Sequence, residues 1–121
     1  MGLEDLADEQ FCYLTTTGRV SGKPHTIEIW FGLEGSTLYM LAGGGERSDW
    51  VRNLERRPEV EVRIRDRLFR APARVIVTEI EKEAARRLLV EKYQPGYAGD
   101  LSSWRERALP IAVDLYGARA S

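Results

Sequence analysis

Residues 11–33, FCYLTTTGRVSGKPHTIEIWFGL, contain two predicted β-strands with a polar turn between them. Residues 11–17 are rich in aromatic and β-branched side chains, which favour strands. In residues 25–33, Ile27, Ile29 and Phe31 occupy every second position, the period of a strand whose two faces differ in solvation. Because the turn is short, we expect the two strands to be antiparallel neighbours in one sheet.

The turn at residues 18–24 combines glycine, a hydroxyl group and positive charge. Gly18 and Gly22 permit positive φ angles and let backbone N–H groups converge, and Ser21 adds a hydroxyl donor. Arg19 and Lys23 supply charge. This combination suits an anionic ligand such as a phosphate. The same residue types are also common in turns that bind nothing, so the turn by itself leaves both interpretations open.

The remaining pattern predicts four more strands and two helices. The strands are expected at residues 37–42, 59–65, 68–77 and 109–116. One helix is predicted from an N-cap at Ser48 to Pro58, and a second from the capping box of Thr78 and Glu81 to about Tyr93. Residues 97–107, which include the aromatic side chains of Tyr97 and Trp104, are expected to form a polar loop or a short helix. With the first three strands as a meander, six antiparallel strands and these helices predict a small barrel of the mainly β, α+β class.

Length and composition exclude several classes of function. A chain of 121 residues predicts a single domain over residues 1–121. The 18 basic and 19 acidic side chains give no overall field that would recruit nucleic acid. Cys12 and His25 are the only residues of their types, so we expect no disulfide and no metal site. No apolar stretch is long enough to span a membrane and no targeting segment opens the chain, which predicts a cytoplasmic protein.

A glycine-rich loop leads from the third strand into the first helix at residues 43–50, GGGERSDW. Such a loop leaves backbone donors and the positive end of the helix dipole free for a ligand, with Arg47 beside them. Three successive glycines also let a flat ring approach the backbone. We therefore expect the loop and the polar turn to face one groove that binds a phosphate and an aromatic ring. These residues do not decide between a flavin, a nucleotide and a phosphorylated metabolite.

Six short segments form a series along nearly the whole chain. They are LTTTGRVSGKP at residues 14–24, DWVRNL at 49–54, PEVEV at 58–62, RAPARV at 70–75, PGY at 95–97 and LPIAV at 109–113. In this order they resemble the deazaflavin-dependent nitroreductase family, which belongs to the split β-barrel flavin-binding superfamily. The resemblance implies a six-stranded antiparallel split β-barrel with two or three flanking helices.

The resemblance also implies an oxidoreductase. Its cofactor would be the deazaflavin coenzyme F-420, and its reaction the transfer of a hydride to an electron-poor nitro-compound, quinone or activated alkene. Tyr97 matches an aromatic residue that lines the acceptor pocket in some members, and it is the candidate catalytic proton or hydrogen-bond donor. The residues expected from the turn and the loop to bind the coenzyme are Arg19, Ser21, Gly22, Lys23, His25, Ala42, Gly43, Gly44, Gly45, Arg47, Trp50 and Asn53.

The chain departs from the family at three single positions and in the loop at residues 43–49, which is shorter than in the best-known members. Val20 and His25 stand where basic residues are common, which implies a phosphate subsite with less positive charge. Asp100 stands where some members have a second pocket tyrosine. Two alternatives remain: an FMN-binding split-barrel oxidoreductase, and a non-catalytic protein of the same superfamily that binds a cofactor or a lipid. The sequence leaves open whether the protein is a monomer or a homodimer.

Overall fold

The computed structural model describes residues 3–115 and 119–120 and shows a mainly antiparallel sheet that curls into a half-barrel. Its strands are β1 (Cys12–Thr17), β2 (Pro24–Ile29), β3 (Gly32–Glu34), β4 (Thr37–Ala42), β5 (Glu59–Ile64), β6 (Arg67–Val75), β7 (Leu109–Asp114) and β8 (Arg119–Ala120). Its α-helices are α1 (Asp49–Arg56), α2 (Glu79–Tyr93) and α3 (Ser102–Arg107). The predicted α+β class is confirmed, with eight strands in place of six. The last residue of the predicted final strand, Tyr116, lies outside the described residues.

The order of the strands differs from the expected meander. It is β2-β1-β5-β6-β7-β4-β3, and β8 pairs with β6. The predicted hairpin across the polar turn is confirmed, since Cys12 pairs with Ile29 and Thr17 with Pro24. The meander is wrong because the single strand predicted at residues 25–33 divides into β2 and β3, which lie at opposite ends of the order. Of these two strands, β3 pairs with β4 and β2 pairs with β1.

The division between β2 and β3 is fixed by the end of helix α2. The hydroxyl of Tyr93 lies 3.0 Å from both the N–H and the carbonyl of Phe31 and donates to the Gln10 carbonyl at 2.7 Å. The ammonium of Lys92 donates to the Phe31 carbonyl at 2.9 Å and lies 3.8 Å from the centre of the Phe31 ring. The main chain of Phe31 is therefore bonded to a helix, and the sheet ladder breaks there.

Two apolar clusters support this arrangement. The larger fills the half-barrel and contains fully buried side chains such as Leu14, Phe31 and Val62. The smaller lies between the sheet and helix α2 and is centred on Ile76 and Leu89. Helix α2 begins as predicted, because Thr78 accepts a hydrogen bond from the N–H of Glu81. Among the described residues, no helix combines the length and the apolar character that crossing a bilayer requires.

Candidate functional site

A polar recess of about 700 Å³ lies between the turn after β1 and the start of helix α1. This polar recess is lined by residues from the turn, from the start of β2 and from one face of α1, among them Thr16, Gly18, Arg19, Ser21, His25, Trp50 and Asn53. The turn and the helix after the glycine loop therefore do approach each other. They meet at α1 and not, as expected, through adjacent second and third strands.

The turn itself is tightly closed. The N–H of Gly18 donates to the Lys23 carbonyl, the N–H of Gly22 donates to the Gly18 carbonyl, and the N–H of Lys23 donates to the Ser21 hydroxyl. Gly22 has a φ of +74°, a conformation that favours glycine. Gly18 is buried, and a Cβ there would lie 2.7 Å from the Ser21 hydroxyl and 2.9 Å from His25 Nε2. The absence of a side chain at Gly18 therefore lets Ser21 and His25 converge.

Arg19 joins the turn to helix α1. Its N–H and its guanidinium donate to Asn53 Oδ1 at 3.1 and 2.8 Å, and the guanidinium also lies 3.3 Å from a carboxylate oxygen of Asp49. The amide nitrogen of Asn53 donates to the buried Thr16 hydroxyl at 3.2 Å. Asn53 is only 4% exposed, so its side chain holds the recess together from within.

A second recess, also of about 700 Å³, lies beyond the other end of β2. Its aromatic side chains come from Phe11, Trp30, Tyr97 and Trp104, and we call it the aromatic cavity. Trp30 stacks on Tyr93 with ring centres 4.2 Å apart and an interplanar angle of 3°. The rings of Tyr97 and Trp104 meet Trp30 edge to face at 5.9 and 5.6 Å.

Hydrogen bonds fix the loop that forms one wall of this cavity. The side chain of Gln94 donates to the Gly99 carbonyl at 2.7 Å and accepts from the N–H of Leu101 at 2.9 Å. Asp100 accepts bonds from the hydroxyl and the N–H of Ser102 at 2.7 and 3.0 Å. These two bonds lower the pKa of Asp100 below its usual value, so the carboxylate is charged at neutral pH.

The two recesses adjoin along β2. Residues 24–27 line the polar recess and residues 28–30 line the aromatic cavity. Each volume falls within the range of roughly 300–1,000 Å³ that is typical of small-molecule sites. Strand β2 and the residue that follows it therefore contribute to both a polar and an aromatic subsite.

The expected site residues divide into three groups. Arg19, Ser21, His25, Trp50 and Asn53 line the polar recess, and Gly43 and Tyr97 line the aromatic cavity. Gly22 and Lys23 are exposed in the polar turn, next to its lining residues. The other four lie outside both linings: Ala42 is buried at the end of β4, and Gly44, Gly45 and Arg47 belong to the loop before α1.

Sequence reasoning did not assign a site role to Trp30, Asp49 or Trp104. Trp30 occupies an ordinary position in the alternating pattern of the second strand, and Asp49 is the expected acidic residue of a first helical turn. Trp104 stood out only as an aromatic residue in a polar segment, which was the one available signal. Their roles depend on chain segments that the fold brings together from distant parts of the sequence.

Comparisons with known proteins agree with this architecture. A family model described as F420H(2)-dependent quinone reductase matches residues 4–116. The solved structure of an F420-H2 dependent reductase (FDR-A) is similar with a TM-score of 0.70 at 25% identity, over 86% of this chain and 93% of that one. An F420 reductase gives a TM-score of 0.70 at 20% identity, over 100% and 97% of the two chains. A structure described as a domain-swapped dimer gives a TM-score of 0.70 at 25% identity, over 86% and 79%.

Proposed function

Because the chain belongs to the F420H(2)-dependent quinone reductase family, we propose that it holds a deazaflavin coenzyme in the polar recess and an electron-poor acceptor in the aromatic cavity. The observation that carries this proposal is that consecutive residues of one chain segment, 24–27 and 28–30, line the two recesses. A reductase of this kind must place a charged coenzyme and an apolar acceptor in contact, and the two linings provide the matching chemistry.

The residues of the polar recess fit an anionic coenzyme. Ser21 and His25 converge over Gly18, where a side chain would occupy the space between them. Lys23 is exposed at the same turn, and Arg19 is held by Asn53 while it keeps part of its solvent contact. We propose that Arg19, Ser21, Gly22, Lys23 and His25 contact the phosphate and the tail, and that Trp50 and the glycine loop contact the ring system.

When bound in its reduced form, the deazaflavin coenzyme supplies a hydride, and it is oxidised as the acceptor is reduced. A quinone that accepts this hydride and one proton becomes a hydroquinone. Tyr97 lines the aromatic cavity, is 47% exposed and carries a hydroxyl, so we propose it as a hydrogen-bond donor to the acceptor oxygen. The aromatic walls orient a planar acceptor and exclude water from its faces.

Coenzyme binding is the first test. Titration of the oxidised coenzyme with the protein, followed by its fluorescence, should give a dissociation constant of tens of micromolar or lower. His25→Gln and Ser21→Ala should weaken binding by about 5-fold each, as expected for the loss of one polar contact. Lys82→Gln, on the distant helix α2, is the matched control and should leave the constant unchanged. No binding at tens of micromolar would refute the proposal.

The salt dependence of coenzyme binding distinguishes the contact with the charged part of the coenzyme from the contact with its ring. Lys23→Ala should weaken coenzyme binding strongly at low salt and little at high salt, because ions screen an exposed charge. Trp50→Ala should weaken binding to a similar degree at both, because packing against a ring is not screened. The measurement is the same fluorescence titration at two salt concentrations, with thermal unfolding to confirm that each variant is folded. Equal losses for both variants at every salt concentration would contradict this division.

The acceptor class is the second test. Menadione, a nitroaromatic and an activated enone should be compared with the reduced coenzyme as donor, by the return of the oxidised coenzyme's absorbance. We propose a quinone as the preferred acceptor, with the nitro-compound and the alkene reduced more slowly. Tyr97→Phe should lower kcat by about 10-fold while leaving coenzyme affinity unchanged. An unchanged kcat would remove Tyr97 from the reaction.

The FMN alternative is not favoured by the family match. An absorption spectrum of protein purified from a host that makes deazaflavin distinguishes the two, and a bound FMN spectrum would overturn our assignment.

We also propose a homodimer in the cytoplasm. The strands β2 and β3 each have one edge with no strand partner among the described residues, and a similar structure is described as a domain-swapped dimer. Light scattering after gel filtration should give twice the chain mass of 13.8 kDa, and a monomer would contradict this.

A further inference from the structure

Trp30 meets two other rings of the aromatic cavity at nearly right angles. Trp30 makes an interplanar angle of 85° with Tyr97 and of 88° with Trp104. The face of an aromatic ring carries partial negative charge, and it attracts an organic cation that lies within about 6 Å of the ring centre. This geometry therefore offers more than an apolar surface for a neutral acceptor.

The charges of the cavity add to this preference. Its lining contains the carboxylates of Glu28 and Asp100 and the guanidinium of Arg107, which leaves one net negative charge. The two bonds from Ser102 orient the carboxylate of Asp100 and keep it ionised at neutral pH. Arg107 is exposed, and its closest described partner is the Ser103 carbonyl at 3.4 Å.

The wall that carries Asp100 and Tyr97 is formed in advance of binding. Gln94 bonds to both Gly99 and Leu101, and a Cβ at Gly99 would lie 2.8 Å from the ring of Tyr97, so the loop packs directly against that ring. The carboxylate of Asp100 and the ring of Tyr97 are thus held by the same short segment. A ligand does not have to order this wall when it binds.

We propose that the aromatic cavity selects acceptors that carry a positive charge next to the reducible ring, such as a quinone with a quaternary ammonium substituent. The rings of Trp30, Tyr97 and Trp104 contact the cation, and Asp100 and Glu28 face it. The role of the aromatic cavity as the acceptor site rests on the proposed function. The charge preference itself is a property of the cavity and can be measured on the protein alone.

The test compares three naphthoquinones of different charge: menadione, an analogue with a trimethylammonium group and an analogue with a sulfonate group. Calorimetric titration of the protein without coenzyme should give the tightest binding for the cation, about 5-fold tighter than menadione at low salt. The sulfonate should bind more weakly than menadione. With reduced coenzyme, kcat/KM should follow the same order.

Three variants assign the effect to named side chains. Asp100→Asn keeps an acceptor for Ser102 and should reduce the preference for the cation by about 3-fold, as should Glu28→Gln. Arg107→Gln should increase the preference, since it removes the opposing charge. Glu91→Gln, an exposed position outside the cavity, is the matched control and should not change it.

The outcomes separate this inference from the proposed function. Equal affinity for the three naphthoquinones, or a preference that Asp100→Asn and Arg107→Gln do not shift in opposite directions, overturns the cation selectivity. If the binding order is as expected but no naphthoquinone is reduced, the cavity binds cations and the proposed reaction is wrong. If all three are reduced at equal kcat/KM with equal affinity, the reaction stands and the selectivity is wrong.

Discussion

Replacing Asn53 with alanine should destabilise the protein because its side chain joins three parts of the chain. Oδ1 accepts two bonds from Arg19, at 3.1 and 2.8 Å, and the amide donates to Thr16 at 3.2 Å. Thr16 is 1% exposed, so its hydroxyl cannot replace the lost partner with bulk water. The guanidinium of Arg19 keeps its ion pair with Asp49 and some solvent contact, so the loss of its bond to Asn53 contributes least to the destabilisation.

The magnitude follows from the number of buried partners left unpaired. A buried hydroxyl that loses its partner costs roughly 1 kcal/mol or more, as the Thr16 hydroxyl does here, and the half-buried Arg19 N–H adds up to about 1 kcal/mol. Adding a smaller amount for the guanidinium, we expect Asn53→Ala to lower the free energy of unfolding by about 2–3 kcal/mol. For a domain of this size that corresponds to a fall of roughly 10 °C in Tm.

Urea unfolding followed by tryptophan fluorescence measures this loss. Glu55→Ala, on the exposed side of the same helix, is the control and should change stability by less than about 0.5 kcal/mol. A double-mutant cycle with Thr16→Val should show a coupling energy of about 1 kcal/mol, because the two side chains share one bond. A loss below about 1 kcal/mol for Asn53→Ala, or zero coupling to Thr16, would refute the argument that this amide holds the polar recess together.

Two further predictions concern pH. Burial lowers the pKa of Lys92 to about 8, below its usual 10.5. Between pH 8 and 10.5 the unfolded chain therefore holds a proton that the folded protein has lost, and the stability of the fold should rise with pH over this range. Between pH 7.5 and 9 the free energy of unfolding, measured with urea, should rise by about 1 kcal/mol, a value already reduced because the ammonium is half-exposed. Lys92→Met should abolish this rise, and the same dependence on pH in both proteins would refute the prediction. Arg74 lowers the pKa values of Glu81 and Asp114, which gives stability that is present above about pH 4 and lost as the pH falls through the lowered values. Arg74→Gln should therefore cost about 1 kcal/mol at pH 7 and almost nothing at pH 2, and an equal cost at both would contradict the ion pairs.

Local patterns in the sequence were sufficient for most of the secondary structure. The hairpin formed by β1 and β2 followed from the side chains on either side of Gly18 and Gly22, and the start of helix α2 followed from Thr78. Both are set by residues close together in the chain. The class of fold was predictable for the same reason, because each strand and helix carried its own pattern.

The break between β2 and β3 could not be predicted in this way. The alternation of Ile27, Ile29 and Phe31 continues without interruption through the break. Strand β2 ends because the main chain of Phe31 forms hydrogen bonds with the side chains of Lys92 and Tyr93, about sixty residues later in the sequence. No local pattern records that contact, and so the order of the strands was expected as a meander.

The same contact also builds the aromatic cavity. Because Tyr93 holds the main chain of Phe31, the preceding residue, Trp30, is placed flat against the ring of Tyr93, 4.2 Å away. From that position Trp30 meets Tyr97 and Trp104, which follow helix α2 in the chain. The helix end that divides the sheet thus sets the walls of the cavity, whereas the polar recess depends on Asn53 of another helix. The two recesses are held by separate sets of bonds, so residues that line the aromatic cavity can change in this fold without changes in those that hold the polar recess.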